Sequence, residues 1–164
     1  MRPALKIKTN YINILLDIAA QKTRERGDLV YECQLGVSLR DIRLLRLIGV
    51  QPGVGMGELT EQSGIEKTLA SKLVSSLVQR GLVVRQIGQK DARKIHLELS
   101  QDGVDLVMRA EPLGAFLERG FGNFLSADEI KSLRTILKKV VDAERVTRPE
   151  FDAWMAQQAY LQSS

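Results

Sequence analysis

Five side chains between Lys67 and Ser75 are the ones best equipped to act on a partner: Lys67, Thr68, Ser71, Lys72 and Ser75. Their spacing of three and four residues places them on one side of a helix with 3.6 residues per turn. Ammonium and hydroxyl groups donate to phosphate oxygens and can reach base edges, so this side suits the major groove of DNA. An ordinary solvated helix face is the alternative for this helix taken alone. Such a face usually mixes signs of charge, whereas no acid lies between Lys67 and Gln79 here. Catalytic chemistry finds less support. A hydrolase needs a nucleophile, a base and an orienting group together, and the single histidine, His96, falls at a solvent-facing position of a polar strand, where solvation or a phosphate contact is its expected role. No Gly-rich phosphate loop precedes a helix. One His and one Cys cannot form a His/Cys metal cluster, so no catalytic residue, metal site or cofactor is expected.

The elements that must hold those five side chains are also legible. Leu69, Ala70, Leu73, Val74, Leu77 and Val78 form the opposite, apolar side of the same helix. Gly81 follows, where a left-handed residue commonly stops a helix. Leu82–Arg85 then reads as a strand, and Ile95, Leu97 and Leu99 alternate with Lys94, His96 and Glu98 in a second. Between them Gln86–Ala92 is too polar to pack and contains Gly88, so it should project as a loop. Upstream, Gly55 caps a short helix around Leu59, and the turn Ser63–Glu66 joins it to the longer one. This is a winged helix-turn-helix. From Ile65 to Ile95 seven Lys and Arg residues stand against Glu66 and Asp91, a local net charge of +5, while the whole chain carries only +4. The basic excess is therefore concentrated in the proposed reading head, as an electrostatic footprint on nucleic acid should be.

At these residues the sequence resembles the MarR family of bacterial transcriptional regulators. The resemblance rests on Gly64-Ile65, Leu73-Val74, Leu77, Arg80-Gly81-Leu82-Val83 with Arg85, the wing Asp91-Ala92-Arg93, and Leu99-Ser100 with Gly103. It extends over roughly residues 35–143. It implies a homodimer whose recognition helices enter successive major grooves of a pseudo-palindromic operator while the wings reach toward minor grooves. Thr68, Ser71 and Lys72 would then read sequence, and Arg85, Lys90 and Arg93 would mainly supply affinity for the DNA backbone. By resemblance to the family's wing, Asp91 would orient Arg93 or Arg85 through a charge-assisted hydrogen bond. Arg93 could instead enter a narrow minor groove. Two departures stand out: the family often has Ser where Glu66 stands, and a wing Arg where Ala92 stands. Similar proteins often bind small aromatic or phenolic acids between their DNA-binding and dimerisation parts. Tyr11, Arg43 and Arg46 are candidate residues for such an effector.

Composition agrees with a globular protein: 44% hydrophobic and 27% charged residues in 164. Aromatics at 5% disfavour single-strand binding by base stacking. No apolar run approaches a membrane span, Met1–Thr9 lacks a signal-peptide core, and one cysteine fits a reducing cytoplasm. Before the reading head, Ile7, Tyr11, Ile14, Leu15 and Ile18 share one side of a helix expected from about Leu5 to the Lys22–Arg26 charge run or somewhat past it. Few neighbours lie close enough in sequence to bury that stripe, which suggests a subunit interface. Cys33 is off the position of the peroxide-sensing branch and is expected to be a buried structural thiol. Ser38 and Asp41 should cap a helix ending near Gly49.

After the hairpin, Ser100 caps a helix through Pro112, where a kink is expected, toward Gly120 and Gly122. Ser126-Ala-Asp-Glu129 is a capping box for the next, and Thr147-Arg-Pro-Glu150 should open a further helix carrying Phe151, Trp154 and Met155. The expected architecture is mainly α with a small β-hairpin wing: a winged helix-turn-helix domain plus a helical dimerisation region. Its parts are an N-terminal dimerisation helix (1–34), the DNA-binding domain (35–100), C-terminal dimerisation helices (101–146) and a helical extension (147–164). The expected function is a dimeric, sequence-specific transcriptional regulator, a repressor released by a small ligand. A winged-helix protein-interaction module without DNA binding is the main alternative, and an enzyme a remoter one.

Overall fold

The computed structural model describes residues 8–87 and 95–162. Their elements follow in the order α1 (Ile12–Leu35), α2 (Leu39–Val50), β1 (Val54–Gly55), α3 (Met56–Ser63), α4 (Lys67–Gln79), β2 (Val83–Ile87), β3 (Ile95–Leu99), α5 (Gln101–Gly122) and α6 (Ala127–Gln162). The chain divides into two units, residues 1–115 and 116–164. It is mainly helical with one small antiparallel sheet, the expected class.

In the first unit the core gathers where α1, α2, α3, α4 and the sheet converge. Tyr31, Ile42, Leu44, Leu45, Ile48, Leu59, Val74, Leu77 and Leu97 are buried there. Burial of each such side chain contributes about 1.5–3 kcal/mol, so Leu77→Ala at the centre would cost roughly 2–5 kcal/mol. The apolar side of α4 divides as its stripe requires: Ala70, Val74 and Leu77 are fully covered, Leu69, Leu73 and Val78 half-covered. The start of α2 is fixed twice. The Ser38 hydroxyl accepts from the Asp41 amide at 3.1 Å while the Asp41 carboxylate accepts from the Ser38 amide at 2.9 Å, and Asp28 of α1 accepts from the Leu39 amide at 2.8 Å.

The sheet has a strand the sequence does not advertise. β2 and β3 pair as the expected hairpin, with Arg85 opposite Leu97 and Val83 opposite Leu99, and β1 adds to the other edge of β3 with Val54 opposite Leu97. Two residues have no period to detect. This third strand also changes the account of His96, which is half-buried rather than solvated. Its Nδ1 lies 2.6 Å from the Gly53 carbonyl oxygen, an acceptor, so Nδ1 carries the proton.

Three other expectations need correction. α1 begins at Ile12, with Tyr11 in extended backbone as its N-cap, and continues past the charge run to Leu35. Lys22–Arg26 is therefore a solvated stretch of helix rather than its end, and left-handed Gly36 stops it. Cys33 is exposed, not buried. Tyr31 takes the inward position, and two further residues rotate the thiol by about 200° around the helix. Finally, no new helix opens at Thr147, because α6 runs unbroken from Ala127 through Pro149. Arg148 pairs with Asp152 at 3.1 Å and with Glu144 at 4.0 Å, tying together the turns on either side of the proline.

The second unit contains the end of α5 and all of α6. The Ser126–Glu129 capping box forms as expected: the Glu129 carboxylate accepts from the Ser126 amide at 2.8 Å, and the Ser126 hydroxyl accepts from the Glu129 amide at 3.3 Å. Arg134 pairs with Glu118. Leu133, Ile136, Leu137, Val140, Val141, Phe151, Trp154 and Met155 on α6 are all exposed.

Candidate nucleic-acid interface

The turn between α3 and α4 sets the angle of the second helix. Gly64 adopts φ +62°, a left-handed conformation that favours glycine, and closes α3. The guanidinium of Arg43 on α2 donates to the Ser63 carbonyl at 3.0 Å, and the Ser63 hydroxyl accepts from the Ile65 amide at 3.2 Å. Burial lowers the pKa of Arg43 from its ordinary value, but a guanidinium remains charged throughout the physiological range. At the far end of α4 the Leu82 amide donates to the Leu77 carbonyl and the Gly81 amide to that of Val78, both at 3.0 Å. Together they form a Schellman motif around left-handed Gly81. Arg80 also donates to the Gly36 carbonyl at 3.0 Å, fastening the end of α4 to the end of α1.

With both ends held, α4 presents Lys67, Thr68, Ser71, Lys72 and Ser75 to solvent; every one is exposed. Arg85 on β2 is exposed beside them, and its guanidinium donates to the Ser75 hydroxyl at 2.8 Å. Helix and wing strand therefore share one continuous cationic surface. Lys90, Asp91 and Arg93, also expected in the interface, lie outside the described residues.

Two features of this surface are not apparent from the helical pattern. Ser75 acts as a hydrogen-bond partner of Arg85, a pairing across ten residues and two elements that helical spacing does not encode. Glu66, expected only to make the first turn acidic, is the N-cap of α4. Its two carboxylate oxygens accept from the amides of Thr68 at 2.8 Å and Leu69 at 3.0 Å. Those amide hydrogen bonds, Thr68 first, hold its pKa below the ordinary carboxylate value. An acid immediately before an apolar helical stripe is the signal the sequence offers for it.

The candidate effector residues do not converge within one chain. Tyr11 stands at the exposed start of α1, about 30 Å along that helix from Tyr31 at 1.5 Å per residue. Arg43 is engaged with Ser63. The Arg46 guanidinium pairs with Glu111 of α5 at 2.9 Å, and a side chain at Gly114 would meet both Arg46 and the Tyr31 hydroxyl. Sequence reasoning misses the grouping of Tyr31, Glu111 and Gly114 with Arg46, because helix-to-helix neighbours 65 to 83 residues apart leave no local pattern. Among the described residues no group of His, Cys, Asp and Glu could hold a metal ion, and no helix is long and apolar enough to cross a membrane.

Two helices joined by a tight turn, with an antiparallel hairpin behind the second, define a winged helix-turn-helix protein. Residues 35–94 match the model of the MarR family. The chain is 25% identical over 100 residues to the transcriptional regulator HosA of Escherichia coli O111:H-, covering 61% of this chain and 74% of HosA. It is 27% identical over 97 residues to a regulatory protein ascribed to the hcr operon of Thauera aromatica, covering 59% of this chain but only 58% of that protein. In fold it resembles Bordetella bronchiseptica BpsR, whose DNA binding is regulated by 6-hydroxynicotinic acid. The TM-score is 0.77 at 17% identity, covering 85% of this chain and 99% of BpsR. HosA and the hcr-operon protein both bear the names of transcriptional regulators.

Proposed function

We propose that this chain is a homodimeric, sequence-specific DNA-binding regulator of transcription that acts in the cytoplasm as a repressor and releases its operator on binding a small aromatic or phenolic acid. The observation that carries the reading is the exposed, acid-free face of α4, joined to the wing through the Arg85–Ser75 hydrogen bond. A protein-interaction module without DNA binding would have no need of a cationic, hydroxyl-rich surface of this kind. Residues 35–100 form the DNA-binding part, residues 1–34 and 101–146 supply the dimer interface, and residues 147–164 extend it. Arg46, freed from Glu111, is the side chain we assign to an effector carboxylate, with Arg43 behind it and Tyr11 contributed across the dimer. Thr68, Ser71 and Lys72 read bases; Arg85, Lys90 and Arg93 hold phosphates or enter the minor groove, with Asp91 orienting an arginine.

Selecting bound duplexes from random DNA tests this reading. The expected product is an inverted repeat with half-site centres about 10 base pairs apart. Ser71→Ala or Lys72→Ala should cost about 1–3 kcal/mol on that operator and much less on random DNA. Arg93→Ala should weaken both and reduce the salt slope by about one unit for each phosphate left without its cation. Unchanged affinities and slope for Arg93→Ala would remove the wing from the interface, and full discrimination by both α4 variants would remove the helix from reading.

A further inference from the structure

We propose that Glu66 is a sequence-reading residue that selects cytosine, an inference that rests on the DNA-binding function proposed above. Glu66 is the only acid from Ile65 to Gln89, and it lies at the leading end of a face otherwise made of Lys, Thr and Ser. In helix-turn-helix proteins the N-terminal residues of the second helix are those that meet base edges. A flexible surface glutamate there would be a poor reader, because it would sample many rotamers and repel phosphates from most of them. Glu66 is not free in that sense. The Thr68 and Leu69 amides each take one carboxylate oxygen, at 2.8 and 3.0 Å, so the group is fixed in place while it remains exposed to solvent.

A carboxylate offers about four acceptor positions; the Thr68 and Leu69 amides and the Thr68 hydroxyl take three, which leaves acceptor capacity for one further donor. An acceptor-only group at a base edge suits the N4 amino group of cytosine and is mismatched to guanine's N7 and O6, which are acceptors themselves. The same cap has a second effect. It occupies amides that would otherwise attract a DNA phosphate to the start of α4. The leading end of the helix is therefore chemically set against backbone contact and toward a base amino group, while Lys67 and Lys72 supply the neighbouring positive charge.

The experiment compares the full-length protein with Glu66→Gln and Glu66→Ser. Serine is itself a strong N-cap, so the helix keeps a cap in that variant, and the far-UV circular dichroism and melting temperature of all three proteins are recorded. Each protein selects duplexes from one random pool. Affinities are then measured on the parent's operator and on copies in which each C·G pair is changed in turn to T·A, replacing the cytosine amino group by a carbonyl. The parent should lose at least about tenfold at one symmetry-related pair per half-site, and both variants should lose that preference alone while discriminating as before elsewhere. If the variants select the same bases as the parent at every position, the proposal is wrong. It is equally wrong if they bind operator and random DNA more tightly by the same factor, since Glu66 would then act only by repelling phosphate. A parent protein that binds no duplex would overturn the DNA-binding reading itself, and this inference with it.

Discussion

The 2.8 Å hydrogen bond from the Arg85 guanidinium to the Ser75 hydroxyl joins the first strand of the wing to the middle of α4. It holds a long cationic side chain in one orientation on the surface proposed to meet DNA. Arg85→Ala should lower affinity for operator and random DNA together. Ser75→Ala should cost about 0.5–1.5 kcal/mol in the parent, the size of one intramolecular hydrogen bond, and almost nothing once Arg85 is gone. A Ser75→Ala loss of equal size in both backgrounds, measured as a double-mutant cycle, would make Ser75 an independent DNA contact. The composition of the face is legible in the sequence because a helical side exposed to water is strictly periodic. The partnerships that organise it are not, because Arg85–Ser75 and Arg43–Ser63 form between elements whose approach is set by the core.

Helices are legible at the scale of the element wherever an apolar stripe coincides with a cap, as at Ser38, Gly81 and Ser126. The failures also have physical causes. β1 is too short to have a period, and a proline that reads locally as the first turn of a new helix lies instead inside the unbroken α6. The junction of the sheet with α5 shows how closely such elements can approach. The Ser100 hydroxyl donates to the Gly81 carbonyl at 2.6 Å and accepts from the Gly103 amide at 3.0 Å, while the Ser100 amide donates to the Leu82 carbonyl at 3.1 Å. A Cβ at Gly103 would overlap that Leu82 carbonyl oxygen, a backbone atom that cannot rotate away. Gly103→Ala should therefore destabilise the protein by about 1–3 kcal/mol in spite of alanine's better helix propensity. Gly57 in α3 has nothing within 4 Å of its would-be Cβ, and Gly57→Ala should be neutral or stabilise by up to about 1 kcal/mol. Denaturant midpoints compare the two, and equal shifts would mean that α5 can move away from the sheet at little cost.

Across the whole molecule, apolar side chains lie open at both ends of the chain. Tyr11, Ile14, Leu15 and Ile18 are exposed on or beside α1, as are nine large apolar residues in the described part of α6. The proposed dimer covers them, so sedimentation at micromolar concentration should show two copies, and removal of residues 1–20 should give an aggregating product. A well-behaved full-length monomer would defeat that assembly. The long final helix carries a further consequence. None of its described residues is buried, so within one chain almost nothing but its own backbone ladder and a few charge pairs sustains some 54 Å of helix. If the proposed dimer covers this helix, mass action governs its order: dilution would act on it as denaturant acts on an ordinary monomer, and the melting temperature should climb with protein concentration. A cell holding few copies would hold them partly unwound and open to proteolysis, so that the abundance of the protein becomes part of its own folding equilibrium.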